Sequence, residues 1–307
     1  MESRNQTNSP HRSRRLAAPA LAVLSALLLS GCSAGNLLHD MLNKGDSSSS
    51  GYAKGNAMAP DMGQADEQSV AALYNEGLNN LQSGSFSKAQ KKFAEVERVH
   101  PYSKWATKAI LMQAFAAYQR NAYEDSINAS ERFIQLHPGH KDTAYAYYLK
   151  ALSNYEQISE VRRDQSRTQK AVEALDEVAE RFPDSPYAAD ARNKALAARD
   201  HLAAKEMEVG RFYMQKGSYL AGINRFKKVV TDYQTSSQTP EALYRLAEGY
   251  MALGVVSEAQ TAAAVLGHNY PNSDWYKDAY NLVSSDGKAP VANQQSWIVR
   301  AFKRVAG

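Results

Sequence analysis

The sequence predicts an all-α fold, a solenoid of about five stacked helical hairpins, and three observations predict it. From about Val70 onward, small and large apolar residues recur at helical intervals, close to the roughly 34-residue period of helix–turn–helix repeats. Proline followed two residues later by serine punctuates the chain at Pro101/Ser103, Pro183/Ser185 and Pro271/Ser273. The apolar–polar alternation that marks half-buried strands is almost absent.

The elements follow in chain order. Residues 1–31 have the layout of an export signal: Arg14-Arg15 precedes an apolar run from Leu16 to Leu29. That run is too short to span a bilayer, which needs about 20 apolar residues. It ends in Leu29-Ser30-Gly31-Cys32, a lipobox, and Cys32 is the only cysteine. No disulfide can form within the chain, so a lone thiol in an exported protein is best explained by lipidation. Ser33 follows Cys32, and by analogy with lipoprotein sorting it favours the periplasmic face of the outer membrane. Residues 32–66, with Gly45-Asp46-Ser47-Ser48-Ser49-Ser50-Gly51, read as a lipidated flexible tether of roughly 30 Å mean reach.

Residues 67–284 are the expected solenoid, of the tetratricopeptide type. One unit carries Gly77, Gly84, Phe86, Ala89, Phe93 and Pro101, and the next Ala114, Ala117, Tyr123, Ser126, Phe133 and Pro138. The third has Ala151, Ala171, Leu175, Val178 and Pro183, with about eight extra residues between its helices. A fourth runs through Gly210, Tyr213, Gly217, Tyr219, Gly222, Phe226 and Val229 and lacks the closing proline. The fifth holds Ala247, Tyr250, Gly254, Ala259, Leu266 and Pro271. Small residues let helices approach, and aromatics fill the space between layers. Proline stops each second helix, and the serines are expected to N-cap the next. Ser185-Pro186 and Thr239-Pro240 suggest a cap followed by an N1 proline. Tyr187–Ala204 reads as an added long helix. Residues 285–307 are expected to form a linker and a short amphipathic helix, Trp297–Val305, which could cap the last repeat, dock a partner or lie on a membrane.

Composition argues against several functions. The net charge of +4 comes from the leader; without residues 1–31 the balance is 32 basic to 31 acidic side chains. No nucleic-acid-binding surface is implied. No phosphate-cradling loop, nucleophile elbow or zinc spacing is present, so neither an enzyme nor a cofactor is expected. His137-Pro138-Gly139-His140 looks like a metal pair. Yet His100, His137, Phe182 and Tyr270 all precede a closing proline, so a planar ring recurs there for packing. Function then rests on surfaces that bind polypeptide. Tyrosines on a concave groove can take both apolar and hydrogen-bonding contacts, and Tyr74, Tyr102, Phe115, Tyr118 and Tyr147 are the candidates for a substrate-peptide groove.

Four stretches carry a resemblance to a family. They are Pro101-Tyr102-Ser103 with Ala114-Phe115-Ala116-Ala117-Tyr118, and Arg132-Phe133-Ile134 through His137-Pro138 to Tyr145-Ala146-Tyr147-Tyr148. Arg163-Asp164 with Phe182-Pro183-Asp184-Ser185-Pro186-Tyr187 is the third, and Leu202-Ala203-Ala204-Lys205-Glu206 with Tyr213, Asn224-Arg225 and Asp232-Tyr233 the fourth. Over roughly residues 70–280 the chain resembles the BamD family, lipoproteins of the outer-membrane β-barrel assembly (BAM) complex. The resemblance implies five repeats. It implies docking of the C-terminal half to a POTRA domain of BamA, recognition of C-terminal signals of unfolded β-barrel proteins by the N-terminal half, and contact with other BAM lipoproteins. Arg225 matches the family arginine that pairs with BamA; with Asn224, Arg163 and Asp164 it makes the expected partner-binding set. The competing readings are a pilotin-like or other scaffold lipoprotein and an adaptor of a cell-wall enzyme.

Overall fold

The structure is a computed structural model that describes residues 62–284 and 289–305; the expected signal, Cys32 and almost all of the tether lie outside them. Among the described residues there are twelve helices and no strand. None is long and apolar enough to cross a membrane. Five hairpins follow one another: α1 (Met62–Gln82) with α2 (Phe86–Val99), α3 (Lys104–Gln119) with α4 (Tyr123–Leu136), and α5 (Thr143–Tyr155) with α6 (Ser166–Arg181). Then come α7 (Ala188–Gln215) with α8 (Tyr219–Asp232), and α9 (Thr239–Ala252) with α10 (Val256–Asn269). Helix α11 (Asp274–Val283) packs on the last hairpin, and α12 (Trp297–Val305) folds back onto α8 and α10. The architecture is the helical solenoid that the repeats predict.

The second helix of every hairpin uses one register. Helices α2, α4, α8 and α10 have 14 residues, and α6 has 16 because it starts two residues early. Counted on that common frame, the fourth, eighth and eleventh residues are always buried. They are Ala89/Phe93/Val96, Ser126/Ser130/Phe133, Ala171/Leu175/Val178, Gly222/Phe226/Val229 and Ala259/Ala263/Leu266. This spacing keeps three side chains on one helix face. It also puts Phe133 level with Val96, and Ser130 at the place of Phe93.

Large residues in that stripe meet small ones opposite. A Cβ on Gly77 would lie 2.6 Å from the Phe93 ring, and one on Gly210 would lie 2.4 Å from the Phe226 ring. Where the eighth residue is Ser130 or Ala263, the facing helix carries Ala114 or Ala247 at the matching place. Volume is thus balanced across these four hairpins.

The helix ends repeat as well. His100, His137, Phe182, Tyr233 and Tyr270 each follow a second helix with φ between −129° and −135°. Each donates its N–H to the carbonyl of the eleventh residue. Each then accepts at its own carbonyl the N–H three residues on, from Ser103, His140, Ser185, Ser236 and Ser273. The fourth unit therefore closes on the same turn through Tyr233 without a proline. Of the expected serine caps, Ser103 accepts from the Ala106 N–H at 3.1 Å. The Ser185 hydroxyl is buried without a partner, and Ser273 makes no side-chain cap bond. Thr239 opens α9 as its first helical residue, and its hydroxyl donates back to the Tyr233 carbonyl at 3.0 Å. Thr143 does the same to His137 at 2.9 Å.

The added run at Tyr187–Ala204 is not a separate helix. It continues without a break into the fourth unit as α7, 28 residues and about 42 Å long. The C-terminal segment is a strap laid between α8 and α10. The Asn293 N–H donates to Thr261 Oγ1 at 3.0 Å, and the Ser296 hydroxyl donates to Glu258 at 2.6 Å. Trp297 Nε1 donates to the Tyr250 hydroxyl at 3.1 Å, while Lys227 Nζ stands 4.9 Å from its ring centre. Ile298 is wholly buried in the same cluster as Ile223 and Ala262. Of the three roles open to α12, the contacts here are those of a cap on the last repeats.

Candidate partner-binding site

The five groove candidates separate into two groups. Tyr74 and Phe115 are core residues, 6% and 3% exposed. The Tyr74 ring lies 5.4 Å from Phe93 and 5.0 Å from Trp105, and burial, with Asp142 nearby, pushes its hydroxyl up to about 12. These two side chains shape helix packing and do not face a ligand. Tyr102 is fully exposed in the turn before α3. Tyr118 is half-buried and donates to Glu156 Oε1 at 3.3 Å. Tyr147 lies 5.2 Å from Phe182, under the Arg181 guanidinium at 5.1 Å. Three of the five are thus reachable from solvent.

Arg163 and Asp164 sit in the long connection between α5 and α6, and both are exposed. The Asp164 carboxylate accepts from the Ser166 hydroxyl and its N–H, and these bonds hold it below the usual carboxylate range. Its work is to start α6. The connection is tied down by its neighbour Arg162, which pairs with Glu208 at 2.8 Å, while Lys205 Nζ donates to the Arg162 carbonyl at 2.8 Å. Arg163 makes only main-chain bonds there: its N–H donates to the Glu160 carbonyl, and its carbonyl accepts from Gln165.

Asn224 and Arg225 are neighbours on the solvent side of α8, because Phe226 and Ile223 take the buried face. Arg225 Nη1 lies 3.1 Å from Glu206 Oε2, and Lys228 Nζ lies 2.6 Å from Glu206 Oε1. The Glu206 side chain, on α7, is only 10% exposed, whereas Arg225 and Lys228 are 44% and 43% exposed. Burial alone would raise the Glu206 carboxyl. The bonds from Lys228 and Arg225 outweigh it and hold the group below its ordinary value. Lys228 is correspondingly raised by its bond to Glu206. One near-buried carboxylate therefore fixes two cations whose remaining donors face solvent. The guanidinium has five N–H donors in a planar fork, so the Glu206 contact leaves it able to take a second carboxylate.

Sequence reasoning singled out Arg225 and Asn224 but neither Glu206 as their support nor Lys228 as the second cation. The one available signal was the one-turn spacing of Arg225 and Lys228, which puts both on one helix face. Arg163 and Asp164 lie on a different connection, and no contact joins them to Arg225.

Comparison with known proteins places the chain. The family model described as YfiO, outer membrane lipoprotein, matches residues 66–266. A protein of Caulobacter vibrioides named outer membrane protein assembly factor BamD is 46% identical over 225 residues, covering 73% of this chain and 74% of that protein. The protein of the same name from Rickettsia prowazekii is 46% identical over 216 residues, 70% of this chain and 86% of its own. The one from Neisseria meningitidis serogroup A is 33% identical over 222 residues, 69% and 83% of the two chains. The chain belongs to the YfiO family of outer membrane lipoproteins, whose relatives here bear the name outer membrane protein assembly factor BamD.

Proposed function

We propose that the protein is a non-enzymatic assembly factor for outer-membrane β-barrel proteins, held by a lipid on Cys32 at the periplasmic face of the outer membrane. In this reading the Asn224–Arg225 face docks a POTRA domain of BamA, and other BAM lipoproteins join the complex. The exposed Tyr102, Tyr118 and Tyr147 of the N-terminal half meet C-terminal signals of unfolded β-barrel substrates. The observation that carries it is the Arg225–Glu206–Lys228 arrangement, two half-exposed cations pre-positioned by a near-buried carboxylate on a chain of this family. Pre-positioning lowers the entropy lost when a partner carboxylate binds.

Co-purification tests the reading: the lipidated chain should recover a β-barrel protein with POTRA domains. Recovery of a secretin instead would point to a pilotin. Cys32→Ala should leave a folded protein that no longer partitions with membranes, since the lipoprotein modification supplies more than one acyl chain. Flotation of that variant with membranes lacking its partners would refute the anchor.

A further inference from the structure

The strap that closes the C-terminal end shows how this solenoid holds a polypeptide segment, and the same seat exists elsewhere unfilled. On the common helix frame the strap touches α8 at position nine, Lys227, and α10 at positions three and six, Glu258 and Thr261. Its floor is Ile223 at position five and Ala262 at position seven. Two hairpins upstream, a groove of about 570 Å³ runs between α4 and α6 over α5. Its lining uses the same frame: Ile127 at position five and Ala174 at position seven form the apolar floor, and Glu131 stands at position nine. Positions three and six are Lys170 and Glu173.

The charges of this groove separate sharply. Glu131 pairs with Lys150 at 3.0 Å, Glu124 with Arg167 at 2.9 Å and Glu177 with Arg181 at 3.0 Å. Lys170 and Glu173 are exposed and make no ion pair or side-chain bond. The two frame positions that grip the strap in one groove are therefore the two charges left unpaired in the other. The long α5–α6 connection contributes too. It allows α6 to begin two residues early, and those residues, Ser166 and Arg167, line the end of the groove.

We propose that the α4–α5–α6 groove is a second polypeptide-binding seat, occupied by a segment of a partner protein that runs antiparallel to α6 and passes through a turn into a short helix, as the strap does along α10. The segment carries a carboxylate where the strap has Ser296, to meet Lys170. Three residues earlier it presents a main-chain N–H, where the strap has that of Asn293, to Glu173. An apolar residue follows at the place of Ile298, over Ile127 and Ala174. The strap itself offers no charge to this rim: its Ser296 hydroxyl donates to the carboxylate at position three of α10 and could only accept from the Lys170 ammonium here, a weaker contact than a carboxylate makes. Polar contacts of this kind give direction and register, and the small floor limits the anchor to one side chain.

The test uses the full chain and a fluorescein-labelled peptide of residues 289–305 carrying S296D. Saturable binding by anisotropy is expected. The variant K170E should weaken it by about tenfold or more through like-charge contact, and a peptide carrying S296K should restore binding to K170E. Lys170 is exposed, so unchanged melting of K170E is expected and is measured alongside. Absence of saturable binding, or binding indifferent to K170E, overturns the proposal. Concentration-dependent dimerisation of the chain alone that K170E abolishes would assign the groove to a second copy and overturn it as well.

Discussion

Arg225→Ala separates the two things this side chain does. Within the fold, Arg225 shares Glu206 with Lys228, which lies 2.6 Å from the carboxylate and is expected to keep it paired when the arginine is removed. The arginine is 44% exposed, so its pair is screened and is expected to contribute about 0–1 kcal/mol to stability. For a solenoid of this size that lowers Tm by no more than about 4 °C. Binding is a different matter. A partner carboxylate desolvated against the guanidinium would lose about 2–5 kcal/mol, or roughly 30- to several-thousand-fold in affinity. Arg225→Glu should weaken binding further, and it also sets a second carboxylate beside Glu206. At about 5 Å and an effective dielectric near 20 that repulsion is at most about 3 kcal/mol, reduced by Lys228 and by solvent. Arg225→Ala is therefore the cleaner variant. Calorimetric titration with the soluble POTRA region of BamA, beside thermal melting, gives both numbers. If Arg225→Ala binds BamA as the unaltered protein does, the docking assignment is wrong. If its melt collapses, the residue is structural and the screening argument fails.

Three further outcomes follow from the packing and the charges. Gly210→Ala should destabilise by about 1–3 kcal/mol in urea unfolding despite the better helix propensity of alanine, because the Phe226 ring is fully buried and cannot retreat; F226L should relieve part of the loss, and a neutral Gly210→Ala would refute the tight contact. Ile298→Ala should cost about 2–4 kcal/mol if the strap is held in solution as it is here, and a loss below about 0.5 kcal/mol would show the strap detached. Glu206 is held below the ordinary glutamate value by Lys228 and Arg225, so its stabilising contribution is full above that ordinary value and is lost as the pH falls through the lowered one. Glu206→Gln should therefore flatten the acid limb of the stability–pH curve, and an unchanged limb would mean that the Arg225–Lys228 contacts are weak in solution.

The hairpin register was legible in the sequence because each second helix carries its own stripe and its own aromatic stop. Even the fourth unit, which lacks the proline, was readable through Tyr213, Gly222 and Phe226; that Tyr233 makes the same turn unaided was not. Composition could not say which aromatic faces solvent. Tyr74 and Tyr102 look alike in sequence, yet one lies between two rings and the other stands free. The support of Arg225 was hidden for a similar reason. Glu206 lies 19 residues away on another helix, and only the angle of the hairpin brings the two together. The α4–α6 groove is drawn from three helices, and its meaning appears only beside the filled groove at the other end.

The strap also fixes where the molecule comes apart. A linear array of hairpins, each held only by its neighbours, frays from both ends, and its terminal units exchange amide protons soonest. Here Asn293, Ser296, Trp297 and Ile298 stitch α8, α9 and α10 together, so the last two hairpins open as one block or not at all. Loss of structure is biased toward α1 and α2, the end nearer the expected membrane anchor. Hydrogen exchange should therefore be fastest in α1 and α2, next to the turn that carries Tyr102, and slowest in the platform around Arg225.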